Sequence, residues 1–243
     1  MKHWILGLFL LTSVSGVWAS GPGVHLDAAP VDVSNTASLQ RGAKFFVNYC
    51  LTCHSAEHAR FIRVAQDLGL STELVEKYLI FTDAKIRDHM KTTMLASDAT
   101  EWFGSAPPDL TLIARAKGAD YLYTYLRSFY LDDTRPFGVN NRVLHNASMP
   151  HVLWRLQGWQ KPVYKESEEG KHEIEALELV EGSGLLTPEA YDRVVADLVN
   201  FMVYLSEPAQ LERKKIGIWV LLYLIVLGVL AYLLKKEYWK DVH

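Results

Sequence analysis

Cysteine is scarce in this chain: among its 243 residues only Cys50 and Cys53 occur. Because one short motif contains both, no cysteine remains for a disulfide elsewhere, and the fold must depend on its core. An excess of positive charge is also missing, since 25 Lys and Arg stand against 28 Asp and Glu for a net charge of -3. This balance gives nucleic-acid binding no electrostatic basis, so we expect no nucleic-acid partner.

Both cysteines lie in the sequence Cys50-Leu51-Thr52-Cys53-His54, a C-x-x-C-H motif. This pattern is typical of the covalent attachment of a c-type haem. Two thiols about one helical turn apart can bind the two vinyl groups of one porphyrin, and the adjacent histidine can bind the iron. The alternatives are a thioredoxin-like pair, which needs a preceding strand, a zinc site, which needs two more ligands, and a Cys50–Cys53 disulfide. We predict one covalently bound haem c.

The amino terminus has the pattern of a signal peptide over residues 1–19. Lys2 precedes an apolar run, and Ala19 offers a small residue before a cleavage site. An uncleaved anchor is the alternative, although the apolar run is short for a membrane span. Export also agrees with the haem motif, because c-type haem is normally attached outside the cytoplasm.

The carboxyl terminus contains a long run without charge, residues 216–234. At ~1.5 Å per residue this run gives about 29 Å, which matches a hydrocarbon core of ~30 Å. We therefore predict one helix in the lipid bilayer. The predicted organisation is a signal peptide at 1–19, a haem domain at 20–211, an anchor at 212–235 and a cytoplasmic tail at 236–243.

Helical periodicity dominates the region between the two ends. From about Thr36 the apolar residues recur on one helical face that ends at the haem motif: Leu39, Ala43, Phe46, Val47 and Cys50. Gly42 interrupts this helix, which suggests that another helix crosses closely there. Further downstream, Thr187-Pro188-Glu189 begins a second strong helix that Glu207-Pro208 ends.

Helical stretches are also predicted near 72–94 and 109–130, the second broken near Gly118, whereas 131–184 reads as mostly irregular. We find neither an internal repeat nor a series of strand-rich hairpins. The predicted fold class is all-α, a cytochrome c-like haem domain with long loops plus one C-terminal transmembrane helix.

The second axial position of the iron has several candidate ligands. Met149-Pro150 lies in a loop rich in turn residues, where no core stripe requires a methionine. Met90 and Met94 lie four residues apart, a spacing that favours core packing on a helix. The histidines that remain open as ligands are His58, His89, His145, His151 and His172. His/Met ligation predicts electron transfer, whereas an open position predicts peroxidase or gas-binding chemistry.

With these features in order, the sequence resembles the cytochrome c1 family. The resemblance covers nearly the whole chain after the signal peptide and rests on six segments in the same order. They are Arg41-Gly42, Tyr49 to Ser55, Ala106-Pro107-Pro108-Asp109-Leu110 with Ile113-Ala114-Arg115-Ala116, Met149-Pro150, Asp197 to Pro208, and Arg213-Lys214-Lys215 before the span.

The resemblance implies roles for individual residues. It implies thioether bonds at Cys50 and Cys53, and iron ligation by His54 and Met149. It further implies that Arg115 lies near a haem propionate and that Pro107 and Pro108 pack near the haem face. The sequence departs from the family at His151-Val152, where many members have further prolines.

The resemblance also implies partners. It predicts an electron-transfer subunit beside a cytochrome b subunit, taking electrons from a Rieske iron–sulfur subunit and passing them to a cytochrome c acceptor. The haem domain is then expected on the periplasmic side of a bacterial inner membrane, and the oxidoreductase activity belongs to the complex. Alternatives are a free-standing anchored cytochrome that donates to an oxidase and a haem peroxidase.

An acidic segment runs from Glu166 to Glu181, with seven glutamates against Lys171 as its only Lys or Arg. Such a segment could attract a basic cytochrome partner at a distance, or it could be a solvated loop.

Overall fold

The computed structural model describes residues 24–166 and 172–241, so the predicted signal peptide lies outside the described residues. We number the elements in chain order. The helices are α1 (Thr36–Phe45), α2 (Phe61–Asp67), α3 (Thr72–Tyr78), α4 (Ala96–Phe103), α5 (Ile113–Lys117), α6 (Ala119–Arg127), α7 (Trp154–Gln157), α8 (Pro188–Ser206) and α9 (Gln210–Tyr238). The strands are β1 (Ala56–Arg60), β2 (His89–Met90), β3 (Phe129–Leu131), β4 (Val139–Asn141), β5 (Gln160–Glu166) and β6 (His172–Leu179).

Helix α1 leads directly into the cysteine motif. The side chain of Asn35 caps its first turn by accepting a hydrogen bond from the backbone N–H of Ser38. The helix continues as a π-helical turn over Phe46–Cys50, in which the N–H of Leu51 donates to the carbonyl of Phe46 at 3.0 Å. All five residues of the predicted apolar face are buried, which confirms that Cys50 ends an amphipathic helix.

Helix α8 crosses α1 at Gly42, as predicted. A Cβ atom added at Gly42 would lie only 2.1 Å from the carbonyl oxygen of Asp197 and 2.7 Å from Cβ of Phe201. At the same crossing, the guanidinium of Arg41 donates to both carboxylate oxygens of Asp197, at 2.6 and 2.9 Å. The adjacent residues Arg41 and Gly42 therefore fix the distance and the register of the two helices that make the core.

Helix α8 itself begins where the sequence predicts. The hydroxyl of Thr187 accepts a hydrogen bond from the N–H of Ala190, and Pro188 occupies the first turn. The predicted break near Gly118 is also present, because this residue adopts φ +90° and separates α5 from α6. Both α5 and α6 pack against α8.

The all-α prediction is only partly right, because three two-stranded antiparallel sheets accompany the helices. The predicted helix near 72–94 ends at Tyr78, and Met90 lies in β2, so Met90 and Met94 do not share a helical face. The region 131–184 was expected to be irregular, but it contains β4 and the hairpin of β5 and β6. A bulge next to Tyr164 shifts the β5–β6 register by one residue. This shift breaks the alternation of apolar residues by which a hairpin is recognised in a sequence.

The hairpin changes the interpretation of the acidic segment. In its ladder, Lys161 lies opposite Glu178. Opposite charges directly across an antiparallel pair offset each other. The field of the glutamates is therefore weaker than their number in the sequence suggests.

Helix α9 leaves the domain as 29 residues without a buried side chain, and its length and composition are sufficient to cross a membrane. At its base, the carboxylate of Glu207 pairs with Arg213 of α9 and, at 3.3 Å, with Arg115 of α5. The anchor is therefore joined by ion pairs to a helix next to the cysteine motif.

Candidate haem-binding site

A cavity of about 410 Å³ lies beside the cysteine motif, and its walls are mostly apolar. Six of the seven predicted site residues line it. Four of these six carry donor atoms: Cys50, Cys53, His54 and Met149. Pro107 and Pro108 line it as well. The cavity thus brings together residues that are up to about a hundred positions apart in the chain. The remaining predicted residue, Arg115, is not among its lining residues.

His54 is held in one tautomer. Its Nδ1 lies 2.7 Å from the carbonyl oxygen of Pro108, and because a carbonyl can only accept, Nδ1 carries the hydrogen. Burial lowers the pKa of His54, although the Pro108 carbonyl opposes this shift. The imidazole is therefore neutral, and its Nε2 lone pair is free for a metal.

The loop that supplies Pro108 is pinned to the motif by further hydrogen bonds. The N–H of Leu110 donates to the carbonyl of Ser55 at 2.8 Å. The carboxylate of Asp109 accepts from the backbone N–H of Glu57 at 2.7 Å and of Thr111 at 2.8 Å. These contacts keep the Pro108 carbonyl within reach of His54.

The two thiols differ in exposure. Cys50 is 8% exposed and Cys53 is partly exposed. Burial raises the pKa of Cys50 to about 12 and also raises the pKa of Cys53. Both side chains are thus neutral thiols, unlike the activated cysteine of a redox enzyme. The residues that the structure describes include no group of three His, Cys, Asp or Glu that could hold a metal ion, so the zinc alternative lacks its further ligands there.

Met149 lies on the cavity wall, half-buried, and its Sδ accepts a hydrogen bond from the hydroxyl of Tyr125 at 3.5 Å. Burial raises the pKa of this phenol. Of the competing ligands, His145 also lines the cavity, whereas His58, His89, Met90 and Met94 do not.

His151 does not line the cavity either, although only Pro150 separates it from Met149. Its ring stacks on Phe129 with centroids 4.9 Å apart, and it is 4% exposed. Burial lowers the pKa of His151 to about 4. The departure from the family pattern at this position therefore places a neutral ring in an aromatic stack behind the Met149 loop.

The cavity also contains a cation that the sequence analysis missed. Lys117 lines it, with Nζ 5.6 Å from the centroid of the Tyr121 ring. Arg115, in contrast, has a side chain that is 63% exposed and pairs with Glu207. The spacing along helix α5 explains the difference. Lys117 is four residues after Ile113, which lines the cavity, so these two residues share one helical face, whereas Arg115 lies on another face.

These residues fit a c-type haem. The cavity volume falls in the range of small-molecule and cofactor sites. Its walls offer two neutral thiols, an imidazole with a free Nε2 and a thioether, which is the donor set of a His/Met c-type haem.

The chain is similar to several known proteins. The model of the cytochrome C1 family matches residues 27–242. Cytochrome c1 of Allochromatium vinosum is 51% identical, with 100% of each chain covered. The ammonia monooxygenase gamma subunit of Nitrosomonas europaea is 48% identical, with 100% of this chain and 99% of that protein covered. A solved structure, from a hyperthermophilic respiratory Complex III, has 17% identity and a TM-score of 0.42, covering 100% of this chain and 95% of the other.

The family match spans the motif, the Met149 loop and helix α9 together. The chain therefore belongs to the cytochrome c1 family and is a membrane-anchored electron-transfer subunit of the cytochrome bc1 complex, with one covalently bound haem c.

Proposed function

We propose that Cys50 and Cys53 form the two thioether bonds to the haem and that His54 and Met149 are its axial ligands. When bound, the haem supplies one-electron redox chemistry. The observation that carries the proposal is the position of His54, whose Nδ1 is held by Pro108 while both cysteines and Met149 line the same cavity. Pro107 and Pro108 then form part of the wall beside the haem.

The protein residues prepare the site for electron transfer. The hydrogen bond to Pro108 orients the imidazole and keeps Nε2 unprotonated, so no proton must leave before ligation. Mostly apolar walls limit the access of water. With His54 and Met149 both as ligands, the iron would keep no position for a substrate. This arrangement favours an electron carrier over a peroxidase, which needs an open position.

Replacement of Met149 by leucine tests this ligation. Loss of the thioether should abolish the absorption band that arises from sulfur-to-iron charge transfer. The midpoint potential should fall by more than ~59 mV, which corresponds to a tenfold change in equilibrium constant. Redox titration and absorption spectra of the purified protein measure both.

Two matched controls are His145→Leu, on the same wall, and His151→Leu, behind the loop. Both variants should keep the charge-transfer band. Absence of the band from the parent protein, together with a fall in midpoint potential in one of the histidine variants and not in M149L, would show that the histidine is the ligand.

Two cations are candidates to pair with the haem propionates. The resemblance assigns this role to Arg115, whereas Lys117 is the cation on the cavity wall. We expect Lys117→Gln to lower the midpoint potential, because a nearby positive charge disfavours the oxidised iron. The expected shift is on the order of the ~59 mV that a tenfold change represents.

Arg115→Gln is the matched comparison, and redox titration of both variants decides the assignment. R115Q should lower the midpoint potential less than K117Q does, because the side chain of Arg115 is exposed and paired with Glu207. A larger decrease in R115Q than in K117Q would support the role that the resemblance implies.

The proposed partners are a Rieske iron–sulfur subunit as donor, a cytochrome c as acceptor and a cytochrome b subunit in the membrane. The haem domain, 20–211, then lies on the periplasmic side, with the anchor at 212–235 and a cytoplasmic tail at 236–243. The predicted export of the amino terminus and a helix able to span the bilayer support this orientation.

Purification from membranes tests the assembly. The chain should copurify with a b-type haem and an iron–sulfur protein, and the oxidoreductase activity should belong to that complex. Recovery of this chain alone, with donation to an oxidase, would favour a free-standing cytochrome. Docking of a basic partner at Glu166–Glu181 stays a prediction: neutralising three of these glutamates should slow reduction of the partner at low salt.

A further inference from the structure

Tyr125 is the residue whose hydroxyl contacts Met149. Its O–H donates a hydrogen bond to Sδ at 3.5 Å, within the range expected for sulfur, and both side chains line the cavity. In the part of the chain that the structure describes, this is the one hydrogen bond recorded at Met149 Sδ. The contact joins residues 24 positions apart, so helix α6 is tied to the Met149 loop.

The Tyr125 ring is fixed from two directions. It stacks on Tyr121 with centroids 6.1 Å apart and planes 7° apart, and it meets the edge of Phe129 at 5.2 Å. The backbone is held as well, because Nδ2 of Asn141 donates to the Tyr125 carbonyl at 2.8 Å. A ring held in this way presents its hydroxyl at a constant position and cannot easily turn it into the solvent.

A hydrogen bond to a thioether has two effects on a metal ligand. A thioether sulfur is a weak acceptor with two lone pairs, so it can accept one hydrogen bond and still bind a metal. The donor restricts the rotation of a flexible methionine side chain, and it withdraws electron density from the sulfur. A sulfur with less electron density donates less to the iron. The oxidised iron then loses more stabilisation than the reduced iron, and the reduction potential rises.

We propose that Tyr125 is a positioning residue that orients the thioether of Met149 and raises the reduction potential of the haem through it. The inference rests on the proposed ligation by Met149. Tyr125, on helix α6, thus influences the reduction potential of the haem through Met149 and need not contact the iron.

Tyr125→Phe tests the inference, because phenylalanine keeps the ring and its contacts with Tyr121 and Phe129 while it removes the hydroxyl. We expect the midpoint potential of the haem-loaded protein to fall by up to ~59 mV, equivalent to a change of up to tenfold in equilibrium constant. The sulfur-to-iron charge-transfer band should shift but persist. Haem content and melting temperature should stay close to those of the parent protein.

Tyr121→Phe is the matched control. Tyr121 lines the same cavity in the same ring stack, but its hydroxyl has no hydrogen bond recorded within the described residues. Y121F should therefore leave the band in place and change the potential less than Y125F does. An unchanged potential and band in Y125F, or an equal change in Y121F, would overturn the inference.

The experiment separates this inference from the ligation on which it rests. If M149L keeps the charge-transfer band, the ligation proposal fails and the role of Tyr125 fails with it. If M149L loses the band while Y125F keeps the parental potential, only the role of Tyr125 is wrong.

Discussion

Replacing Gly42 with alanine is expected to destabilise the haem domain strongly. The new Cβ would lie 2.1 Å from the carbonyl oxygen of Asp197, which belongs to the backbone of α8 and cannot rotate away. This clash can be relieved only if α1 and α8 move apart, and these two helices form the core. Overpacking typically costs about 1–3 kcal/mol, and we expect the upper end of that range or more.

Thermal unfolding followed by circular dichroism measures this effect. Gly217→Ala is the matched control, because Gly217 is also helical and a Cβ there would meet nothing within 4 Å. Because Gly217 lies in the predicted membrane span, outside the haem domain, G217A should leave the melting temperature of the domain unchanged. Equal melting temperatures for G42A and the parent protein would contradict the close crossing.

Removal of both thiols is expected to prevent covalent attachment of the haem and also to unfold the domain. Without covalent attachment, a cavity of about 410 Å³ remains inside a small domain. Because this cavity is partly open to solvent, water would then contact apolar walls that the haem otherwise covers. Typical domains are stable by only about 5–15 kcal/mol, so the walls should lose their native packing.

The double variant Cys50→Ala/Cys53→Ala should therefore show no covalent haem on a denaturing gel and no cooperative thermal transition of the domain. Cys53→Ala alone is the control, because one thiol, His54 and Met149 remain to hold the haem. This single variant should keep one thioether and a measurable transition. A double variant that melts like the parent protein would show that the haem adds little to folding.

Several features could be predicted from local sequence because they depend on short-range periodicity. The apolar face from Leu39 to Cys50, the cap at Thr187 and the break at Gly118 are each encoded within one or two helical turns. Gly42 also predicted the close crossing, because a glycine inside an amphipathic helix lowers helix stability and indicates that another element packs closely there.

The β5–β6 hairpin could not be recognised in this way. The bulge next to Tyr164 moves the apolar residues of β6 out of strict alternation, and the surrounding glutamates resemble a solvated loop. Only the pairing of the two strands shows that Lys161 lies opposite Glu178. The charge of the segment therefore depends on the fold and not only on its composition.

The amino-acid sequence by itself determined the haem motif, the two main helices and the C-terminal span, because each is a pattern of neighbouring residues. Only the tertiary structure decided that His145 reaches the cavity and His151 does not, that Lys117 lines it instead of Arg115, and that Tyr125 donates to Met149. The physical reason is the range of the interactions. Helical patterns are set by contacts three or four residues apart, whereas the composition of a cavity wall is set by how distant helices and loops pack.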